Sequence, residues 1–220
     1  MTLETIELET GPNPTASIII LHGLGADGND FVPVAEELDL ASVGPVRFVF
    51  PHCPTRPVTI NGGYVMRAWY DILGTDLARR EDEAGLRESQ ALVEELIGSE
   101  TARGIKSSRI VLAGFSQGCA MTFMAGLRHK QRLGGLLGMS GYLPLHDKTA
   151  AERSAANADV PIFQAHGSGD PVIAVARAVE SRDALRALGY TVDWHEYPMQ
   201  HSVCAAEIAE MNRWLVKVLR

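Results

Sequence analysis

Short apolar runs punctuate this chain, and between them apolar side chains recur every third or fourth position. The runs at residues 17–21 (Ser-Ile-Ile-Ile-Leu), 46–50, 110–113, 133–140, 160–165 and 191–197 predict strands, the most continuous of them buried on both faces. Phe31, Val34, Ala35 and Leu38 predict a helix with Asp30 as its N-cap. Leu86, Val93, Leu96 and Ile97 predict a second that ends near Gly98; Cys119, Ala120, Phe123, Met124 and Leu127 a third. Val175, Val179, Leu185 and Leu188 give a fourth closed by Gly189, and Ile208, Met211, Leu215 and Val218 a terminal one. Residues 5–8 read as a short edge strand. Residues 51–74, rich in Pro, Gly and aromatics, read as irregular, and residues 141–159 as a polar loop with a short helix around 149–156. Buried strands alternating with amphipathic helices predict a mostly parallel sheet covered by helices on both faces. No repeat, low-complexity tract or long linker divides the chain, so one α/β domain over residues 1–220 is expected.

Composition narrows the function without choosing it. A chain of 220 residues with 46% hydrophobic content is large enough for a substantial core. Its net charge of −7 and lack of a basic cluster argue against nucleic acid as a partner. The first residues carry neither the basic nor the apolar region of a secretory signal. No apolar run approaches the roughly 20 residues that span a bilayer. Three cysteines, Cys53, Cys119 and Cys204, form no C-x-x-C pair and are odd in number, which suits reduced thiols in a cytoplasmic protein.

The candidate chemistry sits at Gly114-Phe-Ser-Gln-Gly118, between a predicted strand and a predicted helix. A serine at the apex of such a turn, with glycine two residues to either side, is the pattern of a nucleophile elbow. The glycines permit close backbone approach, and the helix N-terminus favours negative charge beside the hydroxyl of Ser116. Serine needs a general base, and the base a carboxylate, and in this elbow context they follow in the chain order Ser, acid, His. His201 lies in the loop after the last predicted strand, at the sheet edge where ligands bind. His129 ends the elbow helix, His195 alternates outward within a strand, and His166 precedes the candidate acid. Asp170, directly after the 160–165 strand in His166-Gly-Ser-Gly-Asp-Pro-Val172, is the candidate acid; capping the following helix is the competing role. The backbone N–H of Gln117 and that of Leu24, in His22-Gly-Leu-Gly25, are the expected oxyanion donors.

Six segments carry a family resemblance: Leu21-His-Gly-Leu-Gly-Ala-Asp27, Pro57-Val-Thr-Ile-Asn-Gly-Gly63, Ala68-Trp-Tyr-Asp-Ile72, Ala113-Gly-Phe-Ser-Gln-Gly118, His166-Gly-Ser-Gly-Asp-Pro-Val172 and Tyr197-Pro-Met-Gln-His-Ser202. Together they resemble the phospholipase/carboxylesterase family, which includes bacterial carboxylesterases and acyl-protein thioesterases. The resemblance implies an α/β-hydrolase fold without a cap domain and the triad Ser116, Asp170 and His201. It departs at Cys119 and Gln200, where the family usually has glycine. The implied activity is hydrolysis of short- to medium-chain acyl esters, with acyl-protein thioesterase or lysophospholipase activity as the alternative and no metal or cofactor. The substrate would be a small acyl ester or thioester, lipid- or protein-linked. Residues 61–77, which carry Tyr64, Met66, Trp69, Ile72 and Leu73, are expected to form an acyl-binding wall, with Met66, Trp69 and Leu73 binding substrate. The resemblance also implies a homodimer formed through exposed apolar loops.

Overall fold

The computed structural model describes residues 3–74 and 81–220; the last part of the expected wall, residues 75–77, lies outside them. The strands are β1 (Thr5–Glu9), β2 (Ala16–Leu21), β3 (Val46–Pro51), β4 (Thr55–Val58), β5 (Tyr64–Arg67), β6 (Ile110–Phe115), β7 (Gly135–Met139), β8 (Ile162–Gly167) and β9 (Val192–Tyr197). The helices are α1 (Val32–Glu36), α2 (Glu83–Ala102), α3 (Gln117–Gly126), α4 (His146–Glu152), α5 (Val175–Ala187) and α6 (Ala205–Leu219).

Among the described residues, seven strands pair in the order β1-β3-β2-β6-β7-β8-β9. Only β1 runs antiparallel to its neighbour, as an edge strand; the remaining pairs are parallel. Alternate side chains of each central strand feed two cores. Ile19, Leu21, Ile110 and Leu112 face α2 and α3, which contribute Leu86, Val93, Phe123 and Met124. Ile18, Ile20, Val111 and Ala113 face the opposite layer, where α6 contributes Met211, Trp214 and Leu215. Fully covered strands of this kind explain the continuous apolar runs. Chain order reverses between β2 and β6, so the loops leaving their carboxyl ends diverge and open a crevice.

Four local expectations change. The first helix is entered through a 3-10 turn, Gly28–Phe31, capped by Asp27 rather than Asp30: Asp27 is extended and its carboxylate accepts Asn29 N–H at 2.8 Å. Helix α2 runs through Gly98, which sits on its exposed face. Glu100 beyond it is buried against Arg47 at 3.0 Å, so tertiary pairing outweighs the helix cost of one glycine. The helix instead stops at Gly104, which takes a left-handed φ of +96°. The stretch read as irregular contains the antiparallel hairpin β4–β5, disguised by Pro57 within a strand and by Gly62-Gly63 at its turn. Finally, α4 begins at His146, earlier than the expected helix, and is followed by a 3-10 turn over Ala155–Asn157. Only these two short elements occupy the polar stretch between β7 and β8.

Candidate active site

Strand β6 passes into α3 through Ser116, held at φ 57° and ψ −115°. A non-glycine residue occupies that region only when its surroundings impose it. Here the Ser116 N–H donates to Met139 O at 2.9 Å, tying the elbow to β7. A Cβ on Gly114 would overlap the backbone of Gly118, and one on Gly118 would overlap the Leu21 carbonyl. The glycine spacing is therefore a packing requirement of the turn. Cys119, the departure from the family pattern, fits because Gly138 and Gly141 leave room for it: a Cβ on either would run into its side chain. Complete burial pushes the Cys119 thiol well up, which leaves it an inert packing group.

His201, on the loop between β9 and α6, meets Ser116. Its Nε2 lies 3.0 Å from Ser116 Oγ, and its Nδ1 lies 2.6 Å from Asp170 Oδ2. A carboxylate can only accept, so Nδ1 donates to it and Nε2 is left to accept the serine hydroxyl. Asp170 follows β8 and is 9% exposed. Its other oxygen, Oδ1, accepts the N–H groups of Val172 at 2.8 Å and Ile173 at 2.9 Å. The two roles open to this residue thus fall on different oxygens, and the backbone it holds is a turn, since α5 starts only at Val175. The loops bearing Asp170 and His201 are laced together: Ser168 N–H donates to Tyr197 O at 2.8 Å and Gly169 N–H to Met199 O at 3.1 Å. Gly167 is required there, because a Cβ would overlap the carbonyl of Gln200, the second departure from the family pattern.

Other histidines are placed differently: His129 pairs with Glu94, and His166, fully buried, donates Nε2–H to Ile173 O at 2.8 Å with the same nitrogen 3.4 Å from Asp170 Oδ2. His195 is not simply solvent-facing: its ring stacks on Phe163 at 4.9 Å.

Leu24 lies on the loop after β2, across from the elbow. Among the described residues, neither its N–H nor that of Gln117 donates to another protein group. The side chain of Gln117 does something the sequence did not announce. Its Oε1 accepts Trp69 N–H at 3.0 Å and its Nε2 donates to Tyr70 O at 2.9 Å, clamping that segment onto the elbow. Trp69 Nε1–H in turn donates to His22 O at 2.9 Å, and Ser89 Oγ donates to Trp69 O.

Above Ser116 and His201 opens a cleft of about 660 Å³. Tyr70, Ile72, Tyr142, Val172 and Ile173 supply much of its wall. The three residues expected to bind substrate do not line it. Trp69 is fully buried, its indole committed to the His22 carbonyl. Met66 is half-buried and its sulfur accepts Asn61 Nδ2–H at 3.5 Å; Leu73, also half-buried, lies off the lining. Beyond β5 the chain no longer alternates, so the sequence could not tell which aromatic turns inward. At the far wall Tyr70 and Tyr142 hydrogen-bond through their hydroxyls at 2.9 Å.

Among the described residues, no group of three or more His, Cys, Asp or Glu side chains is arranged to hold a metal ion. No helix among them is long and apolar enough to cross a membrane.

Residues 4–219 match the model of the phospholipase/carboxylesterase family. The acyl-protein thioesterase 1 of Yarrowia lipolytica is 40% identical over 206 residues, covering 91% of each chain. That of Neurospora crassa is 40% identical over 214 residues, covering 93% of this chain and 87% of its own. The crystal structure of Zea mays acyl-protein thioesterase 2 superposes with a TM-score of 0.88 at 28% identity, covering 99% of both chains, and has the same α/β-hydrolase fold. The chain belongs to the phospholipase/carboxylesterase family and is a hydrolase of carboxylic esters or thioesters.

Proposed function

We propose that this protein hydrolyses acyl esters of short to medium chain length through an acyl-enzyme on Ser116. The observation that carries the reading is the unbroken relay from Ser116 Oγ to His201 Nε2 at 3.0 Å and from His201 Nδ1 to Asp170 Oδ2 at 2.6 Å. Ser116 Oγ attacks the acyl carbonyl while Nε2 takes its proton. Asp170 holds the ring in the required tautomer and stabilises the imidazolium that forms. The N–H groups of Leu24 and Gln117 receive the developing oxyanion. His201 then protonates the departing alkoxide or thiolate. Water enters with His201 as base and releases the acid. The relay supplies its own acid, base and nucleophile, so the reaction as written needs no cofactor. Apolar side chains at Ile72, Val172 and Ile173 suit an acyl chain. A cytoplasmic setting, with Cys53, Cys119 and Cys204 kept as thiols, goes with this reading.

A thioester substrate is the second reading, favoured by the names of the relatives at 40% identity. The site chemistry is the same for both, and a thiolate is the better leaving group, less dependent than an alkoxide on the proton from His201. Ser116→Ala decides the shared step: turnover of a p-nitrophenyl ester should fall by about 10⁴-fold or more with the melting temperature little changed. Turnover retained by that variant would overturn both readings. Parallel assays on an acyl thioester and the matching oxygen ester then separate them.

A further inference from the structure

One buried histidine beside the reaction centre has no part in the mechanism above. His22 is 1% exposed and both of its ring nitrogens are engaged. The Cys53 N–H donates to Nε2 at 3.2 Å, so Nε2 is an acceptor and the proton sits on Nδ1. Nδ1 lies 2.7 Å from the Gly23 carbonyl oxygen, which can only accept. The two contacts independently give the same tautomer. Burial holds the imidazole below its ordinary pKa, which keeps it neutral.

The Gly23 carbonyl belongs to the same peptide unit as the Leu24 N–H. A trans peptide is planar, and its C=O and N–H point in opposite directions. Fixing the carbonyl therefore fixes the amide. The need for an anchor is real, because Gly23 has no Cβ to restrict its backbone and a Gly-Leu peptide plane can rotate at little cost. Ala26 N–H also reaches the Gly23 oxygen, but at 3.3 Å. The His22 ring is itself immobilised by the Cys53 amide and lies 5.6 Å from the Trp69 ring, while Trp69 Nε1–H grips the His22 carbonyl. A hydrogen bond onto the carbonyl also polarises the peptide and strengthens its N–H as a donor.

We propose that His22 is a positioning residue of the oxyanion hole: its Nδ1–H, donated to the Gly23 carbonyl, sets the plane of the Gly23–Leu24 peptide so that the Leu24 N–H meets the oxyanion. The proposal rests on the serine-hydrolase reading of the site. It says that His22 acts on the transition state through a backbone group and neither touches substrate nor transfers a proton.

Two substitutions divide the two contacts of the ring. Asn places an amide nitrogen close to the position of Nδ1 and keeps the donor to Gly23, while losing the acceptor for Cys53. Gln places an oxygen close to the position of Nε2 and keeps the acceptor for Cys53, while losing the donor. The full-length protein, His22→Asn, His22→Gln and Ser116→Ala are compared by melting temperature, by kcat and KM on p-nitrophenyl butyrate, and by inhibition with an alkyl trifluoromethyl ketone, whose serine adduct carries an oxyanion. His22→Gln should lower kcat roughly 10- to 100-fold, somewhat less than the ~10²–10³ seen when a whole oxyanion donor is removed. KM should change little, and ketone affinity should weaken by a similar factor. His22→Asn should recover most of both losses even where its melting temperature falls further than that of His22→Gln. Equal losses in the two variants, a loss confined to KM, losses that follow melting temperature, or unchanged ketone affinity would each overturn the proposal while leaving the serine-hydrolase reading intact. Turnover retained by Ser116→Ala would remove that reading, and this proposal with it.

Discussion

The two sides of the cleft are built on different principles. On the elbow side, every residue of α3 is buried, Ser116 is 8% exposed, and Gly114 and Gly118 leave no room for a methyl group. On the hairpin side, Tyr64 is 68% exposed, Val65 57% and Ile60 43%, and the turn glycines Gly62 and Gly63 have no atom within 4 Å of where a Cβ would stand. Close packing holds Ser116 and the amides beside it in place, which is what acyl transfer through the proposed site would require. The segment between them is held to the elbow by the Gln117 clamp on Trp69 and Tyr70, both packed into the core, and the exposed hairpin is tied to that segment where Thr59 N–H donates to Asp71 at 2.7 Å. The proposed chemistry thus sits where substitution is costly, and the hairpin beside the cleft is where it is cheap.

The sharpest test of this contrast is Asp170→Asn. The amide can still accept the Val172 and Ile173 N–H groups through one oxygen, so the fold should survive. The group facing His201 Nδ1 becomes a donor, however, and the imidazole is driven to the wrong tautomer. A fall in kcat of about 10⁴-fold is expected on a p-nitrophenyl ester, with melting temperature changed little. A next test compares glycines. Gly118→Ala forces a Cβ into the Leu21 carbonyl and should cost more than about 4 kcal/mol or prevent folding, at the severe end of single substitutions. Gly62→Ala meets only the strain of its φ of +67° and should cost about 1–2 kcal/mol. Urea titration of both would break the contrast if the two losses were alike.

The same contrast explains what the chain discloses before it is folded. Ser116 is legible because its glycines stand at fixed offsets within a local turn. Asp170 and His201 are legible because chain order and position after a strand restrict the choice. The hairpin β4–β5 is not, since Pro57 and the glycine pair carry loop signals that an edge ribbon tolerates. Trp69 reads as a wall residue, wrongly, because only contacts 47 and 48 residues away, to His22 and Gln117, turn it inward. The Gln117 clamp is likewise non-local; His22 contacts its own neighbour Gly23, but its ring is oriented by the Cys53 amide 31 residues away, and no spacing in the sequence marks either arrangement. Ile72, one of the expected wall residues, does line the cleft, whereas the expectation falls on Trp69 in place of its neighbour Tyr70, because without a regular strand there the facing could not be assigned.

The side bearing His201 also carries a charge problem of its own. Glu207, in the first turn of α6 just beyond His201, is fully buried, and neither carboxyl oxygen has a hydrogen-bond partner among the described residues. Burial pushes its pKa from 4.5 up to about 8 and outweighs the opposing effect of the nearby Cys204 backbone. Between those values the folded protein holds a proton that the unfolded chain has released, so stability falls as pH rises from about 4.5 to about 8. Glu207→Gln keeps the shape and removes the titration. It should stabilise the protein by about 2–4 kcal/mol at pH 8 and by close to nothing at pH 4.5. Thermal melts of both proteins across that range measure the difference, and parallel pH curves would show that this carboxyl does not ionise on unfolding.

The smallest effect lies on the open wall, where neighbouring residues separate cleft from support. Ile72 lines the cleft and Leu73 does not. Ile72→Ala removes apolar surface that an acyl chain can cover, worth ~0.8 kcal/mol for each methylene group no longer shielded from water. KM for longer acyl esters should therefore rise about 3- to 10-fold, with the rise growing from acetyl to octanoyl substrates. Leu73→Ala should leave the slope of KM against chain length as it is in the wild type. The slope is the informative quantity, because a general loosening of the segment would shift every substrate equally. If Leu73→Ala flattened that slope and Ile72→Ala did not, the acyl chain would run along the other face of this segment, and the wall would have to be redrawn around the residue the cleft now excludes.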